Sequence, residues 1–398
     1  MELNSTYNTV CSLLGAALFG RVPEIANETD WNAVYSEMKA QTVQGLAAGI
    51  FPELPIPEEI KKTWQKESLY LFAKGNRLCF AQAELTDLLE KAGVPYVILK
   101  GTSAAMYYPE PLLRVMGDVD IFVPAQFFDA AAELMNENGY MQQRNEEDNK
   151  RHVAYKKQGI LFELHHSFAM VNSTEEKQYL DRLLENCCLQ GKTETVEQNG
   201  QRFQAPPVLV NGMVLLEHIA QHMISGLGLR QIVDWMMFAD KVLDDSAWQL
   251  FREMAANAGL ETLARTVTRM CCIYFGLEGN FSWCNDADRH LCDELMSYLF
   301  DNGNFGRKQG HAGRIATVRT HYKTTENLFS TLQRTGEHNW KLYQKYRFLK
   351  PFAGIYQLFR YSWQMLTVPK KLGSIISGKN EAQRRQNMMA GLGITCDY

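Results

Sequence analysis

Asp118 and Asp120 stand at alternate positions at the head of an apolar run that continues through Ile121, Phe122 and Val123. On a strand, alternate residues face the same way, so the two carboxylates project together from one edge. Such a pair suits Mg²⁺, or Mn²⁺, which takes oxygen ligands and completes its shell with water and substrate phosphates. Upstream, Lys100-Gly101-Thr102-Ser103 offers the complementary anion site. Glycine lets the backbone approach, helix-opening N–H groups favour an anion, and Thr102 or Ser103 adds a hydroxyl. Lys100 and Arg114 are the cationic candidates for a triphosphate, with Arg114 better suited to a bidentate contact. A third acid is expected from a neighbouring strand. Glu163 sits inside the apolar stretch Leu161-Phe162-Glu163-Leu164-His165, where metal ligation and proton acceptance from an attacking hydroxyl would explain an acid.

Each of these residues also has a plainer reading. Aspartates before a strand are common turn residues. Lys100 can be a solvated strand-end lysine, Arg114 can pair with Asp118 or Asp120 and orient the loop, and Glu163 can be an edge-strand acid. His165 shares the face of Glu163, and His165 and His166 either polarise a substrate group or pack as hydrogen-bonded core histidines. His218 and His222 lie four apart on a helix, a zinc-compatible spacing without an evident third ligand, so helix packing is favoured. Arg230 and Asp234 read as a helix-face pair, with Arg230 able to reach a nucleotide. A glycosyltransferase D-x-D usually closes an apolar strand, whereas here the apolar residues follow it. A kinase reading of Val97-Ile98-Leu99-Lys100 lacks a preceding glycine-rich loop and the later kinase motifs.

The elements needed to position these groups follow from periodicity. Residues 8–50 read as helical up to the breaks at Pro52, Pro55 and Pro57, and residues 58–92 as one long helix stopped by Gly93. Strands are expected at 94–99, 119–123, 152–156 and 160–165, with a short helix from 102 and another over 126–138 closed by Gly139. A charged stretch covers 144–151. Residues 214–300 read as helical, broken at Gly226, Gly228, Gly259, Gly276 and Gly279.

These residues resemble the uncharacterised nucleotidyltransferase family of the polymerase-β superfamily. The match rests on Leu99-Lys100-Gly101, Arg114, Asp118-Val119-Asp120, the histidine-bearing strand Phe162-Glu163-Leu164-His165-His166, the segment Gly228-Leu229-Arg230-Gln231 with Asp234, and Gly303-Asn304-Phe305-Gly306. It covers roughly the span 76–306. The resemblance implies a metal-dependent transfer of a nucleoside monophosphate from an NTP such as ATP to a hydroxyl acceptor. A catalytically silent nucleotide-binding regulator is the alternative. Departures from the superfamily stand out: Gly-Thr replaces the usual Gly-Ser, the gap between Gly101 and Asp118 is long, and Glu163 replaces an aspartate.

The expected architecture is α+β: a polymerase-β-type core with a small mixed sheet over 76–210, a helical N-terminal unit over 1–75, a helical domain walling the cleft over 211–335, and a basic-aromatic helical tail over 336–398. At 398 residues with a formal charge of -4, the chain has length for several packed units and no global field to attract nucleic acid. Nine cysteines without CxxC pairs fit a reducing cytoplasm. The N-terminus lacks the basic lead of an export signal, and the best apolar run, 351–369, is interrupted by Gln357, Arg360 and Gln364. The tail interleaves aromatics from Trp340 to Trp363 with Lys341, Lys345, Arg347, Lys350 and Arg360, and fits a core cap, a peripheral membrane contact or, least well, nucleic acid.

Overall fold

The computed structural model describes residues 3–143, 151–308, 332–333, 336–337, 340, 342–343, 346–367 and 370–395. Residues 1–2, most of the charged stretch at 144–151, residues 309–331 and 334–335 of the expected helical domain, and Lys341, Lys345 and Cys396 lie outside the described residues.

Two helices open the chain, α1 (Ser5–Phe19) and α2 (Trp31–Ala40), each started by a side-chain cap, Asn4 accepting from the Tyr7 amide and Asp30 from the Ala33 amide. The long helix α3 (Glu58–Lys91) follows, and Gly93 at φ 68° takes the chain out of it. The sheet-bearing part then runs β1 (Val97–Leu99), α4 (Gly101–Ala105), β2 (Val119–Phe122), α5 (Phe128–Glu137), β3 (Met141–Gln142), β4 (His152–Lys157) and β5 (Ile160–His165). Strand order is β1-β2-β5-β4-β3, with β2 and β5 parallel and the other pairs antiparallel. The result is an α+β fold with a small mixed sheet. The two-residue β3 adds a fifth strand to the expected four.

Residues 174–205 contribute elements that apolar periodicity does not mark. Helix α6 (Thr174–Leu189) begins with a complete capping box between Ser173 and Glu176. The hairpin β6 (Glu194–Gln198) and β7 (Gln201–Ala205) turns at Asn199-Gly200, both at positive φ.

Beyond it the chain is helical: α7 (Val208–Ser225), α8 (Leu229–Val242), α9 (Asp245–Asn257), α10 (Glu261–Tyr274) and α11 (Arg289–Asn302). Helix α7 is buried nearly all round, as expected of a central helix. The two sheet faces enter different apolar clusters. Val97, Leu99 and Phe122 join a large cluster with α1, α2 and α7 to α11, while Ile98, Val119, Ile121, Phe162 and Leu164 pack in a smaller one with α3 and α5.

Helices α12 (Ala353–Thr367) and α13 (Lys370–Gly391) close the described chain. The end of α13 is a core cap: Met388, Met389, Leu392 and Ile394 join the large cluster. The fully buried Arg385 donates to the Ile224 carbonyl and to Asn302 Oδ1, both at 2.9 Å. Among the described residues no helix is long and apolar enough to cross a membrane.

Candidate active site

Leu99 pairs with Asp120 across the β1–β2 ladder, and Asp120 pairs with Glu163 across the parallel β2–β5 ladder. Register partners share a face of the sheet. The loop before β2, the head of β2 and the middle of β5 therefore deliver their side chains to one place. Carboxylate oxygens of Asp118, Asp120 and Glu163 lie within 4.8 Å of one another. They line a cleft of about 250 Å³ together with Lys100, Gly101 and Arg114 on the sheet side, and His218, Gln221, His222, Ser225 and Arg230 from α7 and α8.

Three acids in a partly buried cluster repel one another, and the surrounding groups answer that repulsion. Lys100 Nζ lies 2.8 Å from Asp120 Oδ1 and 5.5 Å from the centre of the Phe168 ring. Its backbone sits at φ 51° and that of Gly101 at φ 39°. Glycine adopts such a turn freely, whereas Lys100 is strained in it. Burial pulls the Lys100 ammonium down, but the charges of Asp120, Asp118 and Glu163 outweigh it and hold the group above the usual lysine value. For Asp120 burial pushes the carboxyl up, yet Lys100 and the His165 hydrogen bond hold it well below the usual range. Asp118 is pushed up to about 6 by burial and by the adjacent Asp120 charge.

His165 Nε2 donates to Asp120 Oδ1 at 3.1 Å and lies 3.4 Å from Glu163 Oε2. Burial lowers its imidazole, and the bonds to the two acids outweigh that and raise it. His152 pairs with His165 in the β4–β5 register, its ring centre 4.7 Å away, and its Nε2 lies 3.8 Å from Glu163 Oε1. Burial and the neighbouring His165 hold His152 down at about 4. His152 carries no chemical motif of its own in the sequence; the two-residue turn Gln158-Gly159 between β4 and β5 fixes its register opposite His165. His166 packs elsewhere, edge-on to Phe128 at 4.8 Å.

The structure redirects three other expectations. The hydroxyls of Thr102 and Ser103 do not face the cleft: Thr102 donates to Gln82 Oε1 at 2.7 Å and Ser103 to Asn211 Oδ1 at 3.2 Å. Both residues are buried between α3 and α7, where a hydroxyl must find a partner. What remains of the cradle is the turn at Lys100 and Gly101. Arg114 pairs with neither Asp118 nor Asp120. Its Nε and Nη2 each donate at 2.6 Å to Asp234, which also accepts from the Tyr108 hydroxyl at 2.7 Å. With both partners almost fully buried, the planar fork takes the carboxylate that matches it on both oxygens.

Asp234 is therefore not the partner of Arg230 on α8. Among the described residues Arg230 Nη1 reaches the Val115 carbonyl at 3.4 Å, and its Nε has no hydrogen-bond partner. Burial and the nearby Arg114 charge lower its guanidinium. His218 and His222 stack edge-on at 4.6 Å, and among the described residues no third metal-type ligand joins them. Burial, with the surrounding positive charges, holds His218 well below the ordinary histidine value and His222 down at about 3. The helical wall thus presents two neutral imidazoles and one cation.

The cleft is chemically suited to a divalent cation. It offers a hard oxygen donor set, and Asp118 is held up by burial and by the like charge of Asp120, which such a cation would offset.

The profile of the family described as uncharacterised nucleotidyltransferase matches residues 27–276. Among solved structures the chain is similar to an antigenic nucleotidyltransferase-like protein from Paracoccidioides brasiliensis, at 15% sequence identity and a TM-score of 0.34, covering 52% of this chain and 96% of that one. No curated protein matches the chain by sequence.

The Arg114–Asp234 pair should be a stability element. Asp234→Ala strands a buried guanidinium and is expected to destabilise the fold by about 3–5 kcal/mol. Equilibrium urea unfolding should show a lower midpoint at unchanged slope, and an unaltered midpoint would remove this role.

Proposed function

We propose, from the premise that the chain belongs to the uncharacterised nucleotidyltransferase family, that it moves a nucleoside monophosphate from an NTP to a hydroxyl acceptor and releases pyrophosphate. The observation that carries this reading is the convergence of Asp118, Asp120 and Glu163 within 4.8 Å from two adjacent parallel strands. These three residues would hold Mg²⁺ or Mn²⁺, which supplies Lewis-acid charge to phosphate oxygens when bound.

The chain's own residues do the rest. A carboxylate of the cluster accepts the proton of the acceptor hydroxyl. The acceptor oxygen bonds to the α-phosphorus, the bond from that phosphorus to the bridging oxygen breaks, and pyrophosphate carries the electron pair away. Gly101 lets the phosphates approach the backbone, and Lys100 and Arg230 supply positive charge to them. Arg114, with Nε and Nη2 held by Asp234 and Nη1 3.5 Å from the Val115 carbonyl, fixes the loop before β2 and lines the cleft. Alignment and electrostatic stabilisation supply most of the rate enhancement in such transfers. The described cysteines are all free thiols, which suits a reducing cytoplasm.

A second reading concerns the tail. Phe348, Phe352, Ile355, Leu358 and Phe359 are exposed large apolar residues in a segment that carries Arg347, Lys350 and Arg360. Aromatic side chains flanked by basic ones suit the headgroup zone of an anionic bilayer, which supports a peripheral membrane contact.

Incubation with labelled ATP, CTP, GTP or UTP and Mg²⁺ should give pyrophosphate release, lowered at least about 100-fold in Asp120→Asn. Nucleotide binding without release would assign a regulator instead. Metal affinity gives the pH test. Asp118, titrating at about 6, is mostly ionised at neutral pH and mostly protonated at pH 5. Metal binding requires the carboxylate, so the apparent Mg²⁺ affinity should be flat above that value and fall about tenfold per pH unit below it; a flat profile down to pH 4.5 would exclude Asp118 as a ligand. For the tail, flotation with phosphatidylserine vesicles should be lost in F352E/F359E and absent with neutral vesicles. Equal flotation of both proteins would end that reading.

A further inference from the structure

The cleft carries one phenyl ring among its described lining residues, Phe305, and nothing in the reaction outlined above uses it. Phe305 is 54% exposed, so its side chain gains little from burial. Its backbone lies at φ 56°, ψ 30°, the left-handed region that disfavours L side chains and that glycine enters freely. A large apolar side chain in a strained and exposed position has no packing reason to be there. Strain of this kind gathers at ligand clamps and active sites.

The turn that holds the ring is built rigidly. Gly303 and Gly306 flank it, also at positive φ, and the Phe305 amide donates to the Gly226 carbonyl at 2.9 Å. Gly226 lies so close that a Cβ there would come within 2.2 Å of the Gly306 nitrogen, and a Cβ on Gly228 would meet Asn304 at 2.6 Å. Asn304 is fully buried, donating to Thr42 Oγ1 at 2.8 Å and accepting from Gln231 Nε2 at 3.3 Å. The turn after α11 is thereby locked onto the α7–α8 junction, between His222 and Arg230. The His222 ring meets Phe305 edge-on with centres 4.7 Å apart, which fixes the plane of the phenyl group.

We propose that Phe305 is the stacking platform for the nucleobase of the incoming triphosphate. This rests on the nucleotidyltransferase reading. Phosphates drawn to the acid cluster, Lys100 and Arg230 leave the base to be met by something flat and apolar on the same cleft. Phe305 is the residue of that kind. Stacking on a phenyl face uses the π-surface common to all bases and reads no hydrogen-bonding edge, so the platform contributes affinity without choosing among bases.

The test compares ligands with and without a base on the full-length protein. Calorimetry with Mg²⁺ measures binding of the α,β-methylene analogues of ATP and UTP, and of inorganic tripolyphosphate, to the wild type, F305A and F305W. F305A should bind both nucleotide analogues roughly tenfold more weakly, with tripolyphosphate unchanged, and F305W should restore the nucleotide affinity. Because the position is exposed and strained, F305A and F305G should keep the wild-type melting temperature, separating lost stacking from lost fold. If F305A leaves the analogues at wild-type affinity, or weakens tripolyphosphate equally, the platform is wrong while the triphosphate site stands. If the wild type binds neither analogue nor tripolyphosphate, the nucleotidyltransferase reading falls and the platform with it.

Discussion

Mutual repulsion among Asp118, Asp120 and Glu163 is the constraint around which the cleft is organised. The parallel pairing of β2 with β5 puts Asp120 beside Glu163, and the strand's alternation adds Asp118 to the same edge. Carboxylates so placed need positive charge or protons. Lys100 supplies the first to Asp120, the His165 hydrogen bond helps hold Asp120 low, and burial with the Asp120 charge pushes Asp118 up, so Asp118 takes a proton more readily than Asp120. A divalent cation could satisfy the same need, since the three acids offer oxygen ligands within 4.8 Å of one another.

Holding like charges together requires supports that do not move. The Arg114–Asp234 fork ties the loop before β2 to α8, and Asn211 ties α4 to α7 by donating to the Ser103 carbonyl at 3.0 Å. Glu217, fully buried on α7, accepts from the amides of Met170 and Val171 and fixes the chain leaving β5. Burial pushes that carboxyl up to about 7 against these hydrogen bonds. Polar side chains from the helical wall thus anchor each sheet-side segment that lines the cleft. The charges nearest the acids and the anchors behind them come from elements far apart in the chain.

Much of this was legible in the residue pattern. The long helix, the four main strands and the run of helices from 214 follow from apolar periodicity and glycine stops, because local burial demands repeat at 3.6 or 2 residues. The acids were legible for a related reason: a carboxylate inside an apolar strand stands out against its neighbours. The hairpin β6–β7 and its Asn199-Gly200 turn carried a readable local signal as well. Polar residues inside helices gave less, since a hydroxyl or guanidinium on a helix looks the same whether it faces solvent, a cleft or a buried partner. For that reason the residue pattern did not show that the hydroxyls of Thr102 and Ser103, on α4, turn to buried partners.

By itself the sequence determined the donor types, their order along the chain and the face of the sheet on which the acids lie, all of which depend on covalent spacing and backbone period. Tertiary structure alone decided which charges meet. Asp234 lies 120 positions from Arg114, and Asn304 lies 262 from Thr42. Partners so distant are selected by the packing of whole elements, and the energy of a buried pair depends on what surrounds it rather than on its neighbours in the chain. The turn that presents Phe305 belongs to the same class, since it is held by glycine contacts between the α7–α8 junction and the end of α11.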